Sequence, residues 1–149
     1  MPMSKLLTLP FILAMISGIA MAVQGTLNSS LSQKTSLLSA TLLVHIIGTL
    51  VALLAVLVWR VPLFKYDWSS VPWYAYLGGV LSVIIVGLVA VSISKIGVCN
   101  ATTAIIIGQV SMAVLIDHFG WIGVERLPWN PAQLIGIVLF AAGAKLLFR

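Results

Sequence analysis

Five stretches of the chain are apolar almost without interruption. Each is close to the roughly 20 residues that a helix rising about 1.5 Å per residue needs to cross a hydrocarbon core about 30 Å thick. They cover about residues 6–29, 36–59, 73–94, 98–116 and 131–148. The segments between them are polar or rich in turn residues. Residues 30–35 read as a short polar turn, and 95–97 as a very tight one. Residues 61–72 hold Pro62, Lys65, Asp67, Ser69, Ser70 and Pro72. Residues 117–130 hold Gly120, Gly123, Pro128 and the pair Glu125 and Arg126. Pro131 then stands where a last helix starts, and there its missing N–H costs nothing. No connection can house a soluble domain. The expected fold is all-α: a single multipass membrane domain over residues 1–149 with five transmembrane helices.

Composition narrows the class further. Apolar residues make up 61% of the chain and charged ones 7%, with a mean hydropathy of +1.18. A soluble domain is typically about 25% charged, so too little polar area exists here to face water. Water-soluble enzymes are excluded, and so is disorder, which needs the opposite composition. No Gly-rich phosphate loop and no Ser/His/Asp set is present, so neither enzyme nor cofactor is expected. No filter-like loop or charged ring suggests a channel. The 8 Lys and Arg outnumber 3 Asp and Glu but are scattered singly. They suit lipid headgroups, and they form no patch that could follow a nucleic-acid backbone. Trp59, Trp68, Trp73, Trp121 and Trp129 all fall at or within the two longer connections, as interfacial anchors do. Cys99 is the single cysteine and permits no intramolecular disulfide. Lys5, an apolar run and Ala20-Met21-Ala22 imitate a cleaved secretory signal. The run is longer than a signal core, so the first helix is expected to be kept.

Five spans put the N-terminus and the two longer loops on one side of the membrane. That side carries Lys5, Arg60, Lys65 and Arg126, while the other carries Lys34, Lys95, Lys145 and Arg149. Orientation normally follows the excess of basic residues, and here neither side has one. Either a weak signal still selects one orientation, or the chain inserts both ways and two copies pair head to tail. Physics favours the second, because many secondary transporters are built from two inverted repeats. A chain with an odd number of spans supplies an inverted partner only by inserting upside down. The expected assembly is an antiparallel dimer forming an inverted ten-helix bundle.

Polar groups inside the spans are expensive in hydrocarbon, so they mark packed interfaces, wet cavities or sites. The first span carries Ser17, Gln24 and Asn28 on one face. The second carries Thr41, His45, Gly48 and Thr49, and the fourth carries Asn100, Thr103, Gln109 and Ser111. Hydroxyls read first as interhelical hydrogen-bond glue. Gln24, Asn28, His45, Asn100 and Gln109 are the candidate substrate-binding residues, with His45 the candidate proton carrier because imidazole titrates near neutrality. Asp117 and His118 are adjacent and too few to hold a metal, so no metal site is expected. Small residues give smooth faces for close helix packing. Gly79, Gly87, Ala90 and Ser94 do so on the third span, and Gly136 and Gly143 on the fifth are candidates for dimer contact.

The run Gly18-Ile19-Ala20-Met21-Ala22-Val23-Gln24-Gly25-Thr26-Leu27-Asn28 resembles the opening helix of the drug/metabolite transporter superfamily. Three later stretches are similar to its half-size, five-helix, YdcZ-like (EamA-like) branch: Gly108-Gln109-Val110-Ser111, Ile116-Asp117-His118-Phe119-Gly120-Trp121, and residues 134–143. Full-length relatives have ten helices in two inverted halves around a central substrate cavity, and export or exchange metabolites. The resemblance therefore implies an inner-membrane transporter that works as a homodimer or with a paired homologue. The four-helix multidrug exporters of the same superfamily exchange protons for cations at a mid-membrane Glu. Spans one to three here contain no Asp or Glu. That departure argues against a carboxylate-driven cation antiport; the expected cargo is a small polar or zwitterionic molecule. The alternative from a different class is a non-transporting assembly or regulatory subunit of a larger membrane complex, which would need equally apolar helices.

Overall fold

The computed structural model describes residues 3–128 and 130–148, with side chains from residue 9 onward; the Lys5 side chain, Trp129 and Arg149 lie outside that range. Among the described residues there are helices and turns and no strand. The helices are α1 (Met3–Lys34), α2 (Leu37–Val58), α3 (Leu77–Phe119) and α4 (Pro131–Leu147). The first three are long and apolar enough to cross a membrane, whereas α4 is a shorter apolar helix. The chain divides into two units, Met1–Lys95 and Ile96–Arg149.

The local signals explain most of the boundaries. Ser36 caps α2, its hydroxyl accepting the Ser39 N–H at 3.1 Å. Asn130 caps α4 by accepting the Ala132 N–H at 2.9 Å, with Pro131 in the first turn. An N-cap of this kind satisfies one of the N–H groups that a helix start leaves unpaired. Between α2 and α3 lie three short 3-10 turns, Leu63–Lys65, Trp68–Ser70 and Trp73–Tyr76. In the second, Asp67 accepts the side-chain and then the backbone hydrogen of Ser69, which holds its carboxyl below the usual value. Trp59, Trp68, Trp73 and Trp121 are exposed, as headgroup-level anchors should be.

Three expected boundaries need correction. Residues 30–34 are not a turn, because α1 runs on to Lys34. Their side chains bond to their own helix: the Ser32 hydroxyl donates to the Ser29 carbonyl at 2.8 Å, and the Gln33 amide to the Ser29 hydroxyl at 3.2 Å. Polarity satisfied in this way leaves the helix intact. Trp73–Tyr76 is a 3-10 turn, so the third helix starts at Leu77. At the other end α3 keeps Asp117, His118 and Phe119, and it stops at Gly120, a left-handed residue whose N–H bonds the Ile116 carbonyl at 2.8 Å.

The expected tight turn at 95–97 contracts to one residue. Within the 43-residue α3, Gly97 alone leaves helical geometry, with φ 81° and ψ 165°. That combination is essentially open only to glycine. Gly97 thus separates a first limb of α3, residues 77–96, from a second, residues 98–119.

In the first unit α1 and α2 pack against each other, and the first limb of α3 approaches α1 at Gly25. A Cβ built on Gly25 would sit 2.9 Å from both Ile93 Cδ1 and Val89 Cγ1. The isoleucine tip can swing aside, but the β-branched valine is held at χ1. Gly25→Leu should therefore force the helices apart and destabilise the protein by about 1–3 kcal/mol. Thermal unfolding in detergent checks this. Adding Val89→Ala should recover part of the loss, because the two sites touch.

Burial is reversed relative to a soluble protein. The buried hydrophobic positions are Ala40, Ala90, Ile93, Ala101 and Ala144, and the buried polar ones Asn28, Ser29, Thr41 and Thr103. Large apolar side chains such as Phe11, Ile19, Leu42, Leu54, Leu88 and Leu139 face outward. Small or hydroxyl-bearing residues at contacts and bulky aliphatics outside are what packing in lipid selects.

Candidate functional site

His45 stands near the middle of α2, half-buried between two partners. Its Nδ1 lies 2.8 Å from the Thr41 carbonyl and its Nε2 lies 3.0 Å from the Ser82 hydroxyl on the first limb of α3. A carbonyl has no proton to give, so Nδ1 must carry the hydrogen. In the neutral ring Nε2 is then the acceptor, and the Ser82 O–H donates to it. The contact is a polar link between α2 and α3, joining residues 37 positions apart.

This pair borders a cavity of about 360 Å³ lined by Gln24, Val44, His45, Gly48, Thr49, Ala52, Ser82 and Val86. Gln24 comes from α1, five of the others from α2, and Ser82 and Val86 from α3. The helical spacing of His45, Gly48, Thr49 and Ala52 places them on one face of α2. The Thr49 hydroxyl donates to the His45 carbonyl at 2.8 Å, so toward the cavity its oxygen can only accept. The Gln24 amide is exposed and makes no hydrogen bond among the described residues, which leaves its donors and its acceptor open to a ligand. His45 is the one ionisable side chain in this wall.

Of the five residues expected to bind substrate, the structure brings Gln24 and His45 together. Asn28, one turn beyond Gln24, is buried beside Ser29 and does not line this cavity. Asn100 and Gln109 belong to the second unit, on the second limb of α3. There Asn100 is half-buried and Gln109 exposed, with Ala101 and Thr103 buried between them. Asp117 and His118 end that limb, and no group of three or more His, Cys, Asp or Glu comes together among the described residues. Ser82 is the member that sequence reasoning passed over. Its signal was present, a lone hydroxyl within the apolar stretch from Val80 to Val86. A Cβ built on Gly136 or Gly143 meets nothing within 4 Å, as is also true of Gly79 and Gly87.

Apolar helices with outward-facing bulk, small or polar contacts and a polar cavity among them define a multipass helical membrane protein. The family described as "Putative inner membrane exporter, YdcZ" matches residues 9–146. The chain belongs to this YdcZ-like family of drug/metabolite transporters, and it is a multipass protein of the inner membrane. No curated protein and no solved structure matches it significantly.

Proposed function

We propose that this chain is one half of a secondary transporter, which moves a small polar or zwitterionic metabolite by alternating access as an antiparallel homodimer. The observation that carries the reading is the cavity of Gln24, His45, Thr49 and Ser82, a set of hydrogen-bonding groups kept inside apolar helices of an exporter family. Polar side chains at that depth cost free energy unless they serve a ligand or a partner.

The two limbs of α3 support five crossings. At about 1.5 Å per residue its 43 residues would reach about 64 Å, twice the hydrocarbon thickness, whereas each limb alone is about one membrane long. With α1, α2 and α4 the count is five. Balanced basic residues on the two sides then favour insertion in both orientations, and the open small-residue face of Gly136 and Gly143 is available to the inverted copy. Asn100 and Gln109, on the second unit, are proposed separately as residues that meet substrate.

Two measurements test this. A metabolite that stabilises the purified protein against heat identifies a ligand, since binding to the folded state raises its stability. Vesicles holding the protein alone should then move that solute; failure to move any ligand so identified would leave only a subunit role. For orientation, a chain with Cys99→Ala and Arg149→Cys is labelled in intact cells by an impermeant thiol reagent. About half the molecules should react if both orientations are made. Complete or absent labelling would refute the antiparallel homodimer.

A further inference from the structure

We propose that the cavity binds the carboxylate group of a small organic acid or amino acid together with one proton, the proton residing on Nε2 of His45 and the Ser82 hydroxyl switching from His45 to the ligand. This rests on the cavity being the substrate site. It adds the chemical class of the substrate and the group that senses it.

The hydrogen-bond geometry restricts where a proton can go. Nδ1 of His45 is committed to the Thr41 carbonyl at 2.8 Å, so only Nε2 can gain or lose a hydrogen. When Nε2 is bare, the Ser82 O–H points at it across 3.0 Å. When Nε2 takes a proton from a hydronium ion, an O–H bond of that ion breaks and leaves water, a new N–H bond forms and the ring becomes a cation. Two donors cannot face each other, so the Ser82 oxygen then accepts from Nε2 and its own hydrogen turns away. Protonation therefore adds a positive charge to the wall and frees a hydroxyl donor in the same step. Both changes suit an anionic acceptor oxygen, because charge-assisted hydrogen bonds are the strong ones.

The rest of the wall contains nothing to oppose this. From α1 the facing group is the neutral Gln24 amide, from α2 Val44, Gly48, Thr49 and Ala52, and from α3 Ser82 and Val86. No carboxylate lines the cavity, so it can be neutral or singly positive and never negative. A permanent cation finds no countercharge there. A zwitterion fits with its carboxylate at His45 and Ser82 and its ammonium toward the Gln24 carbonyl oxygen and the Thr49 oxygen, which is restricted to accepting. Linkage makes the two events reciprocal: an anion that prefers the protonated ring must hold the proton on it.

The test uses the two-histidine composition of the chain. Purified full-length protein with ¹⁵N-labelled histidine is titrated between about pH 5 and pH 8 by NMR, with His118→Gln identifying the His45 signals. The probes are sodium propionate, L-alanine and tetramethylammonium chloride. Propionate or alanine should raise the midpoint of His45 protonation by at least about one pH unit, equivalent to tenfold tighter binding to the protonated form. A response to alanine alone still upholds the carboxylate site and assigns it to zwitterions. Tetramethylammonium should give no rise. In Ser82→Ala the rise produced by a carboxylate should shrink, since the switching donor is gone. The inference is overturned if neither carboxylate raises the midpoint, if His45 stays neutral throughout, or if tetramethylammonium raises it equally. A rise in protein that moves no solute would uphold the carboxylate site and sink the transport reading. Transport that depends on Gln24 without any rise would do the reverse.

Discussion

If the proposed transport reading holds, His45→Ala, Gln24→Ala and Gln109→Ala should each lower the initial rate of solute movement in reconstituted vesicles by at least about tenfold, while the protein stays folded and keeps the oligomeric state of the parent chain. The large effect on rate and the small one on stability follow from the same geometry. Removing the imidazole deletes one hydrogen bond between α2 and α3, of a type worth about 0.6 kcal/mol on average inside a membrane protein. Ser82 then turns its hydroxyl to a carbonyl one turn back on its own helix, a bond that serines in helices commonly make. The Thr41 carbonyl keeps its helical backbone partner. Gln24 makes no hydrogen bond within the described residues, so its truncation leaves nothing unpaired. Gln109 is exposed on the second limb of α3 and is likewise removable at little structural cost. His45→Gln separates the two roles that an imidazole can play. It can preserve a polar link to Ser82 but cannot take up a proton near neutral pH. If the link alone matters, His45→Gln transports normally; if His45 carries a proton, it fails as His45→Ala does. Unchanged flux in an alanine variant would remove that residue from the site.

Replacing Gly97 should damage the protein more than replacing any helical glycine with open space beside it. With φ 81° and ψ 165° the residue sits where a Cβ collides with its own backbone, at a cost of about 1–3 kcal/mol for alanine and more for a β-branched residue. There is no neighbour to blame, because a Cβ built on Gly97 meets no other atom within 4 Å. The penalty is therefore purely conformational, and no compensating change elsewhere should rescue it. Gly108 is the matched control: it lies in the second limb, in helical conformation, with equally open surroundings. Gly108→Ala should be neutral or stabilising by up to about 1 kcal/mol, through helix propensity. Thermal unfolding of the two variants in the same detergent reads the difference directly. Equal melting temperatures would mean that the chain does not break at Gly97. A straight α3 would then undo the two-crossing reading.

Much of this protein was legible along the chain, for a physical reason. Bilayer thickness sets the length of apolar runs, so α1, α2 and the limbs of α3 were visible as blocks. Pro131 announced a helix start because its fixed backbone and missing N–H act locally, whereas the caps Ser36 and Asn130 emerged only with the structure. The break near 95–97 was visible as well, although its reduction to Gly97 alone was not. Gln24 and His45 stood out because polar groups are costly in hydrocarbon. The misread stretch at residues 30–34 shows the limit of this reasoning: its polar groups were read as a turn, yet Ser32 and Gln33 are satisfied on their own helix through Ser29 and the helix continues.

What the chain alone determined is which segments must leave water and which polar groups they carry with them, since both follow from transfer free energies of nearby residues. Which polar groups meet was decided only by the packed helices. Ser82 reaches His45 across 37 positions of sequence, Gly25 admits the α3 side chains of Val89 and Ile93, and Asn28 falls outside the cavity that its neighbour Gln24 enters. Those pairings depend on how α1, α2 and the first limb of α3 are rotated about their own axes. That rotation is set by close packing of small residues, which a run of uniformly apolar positions leaves undetermined.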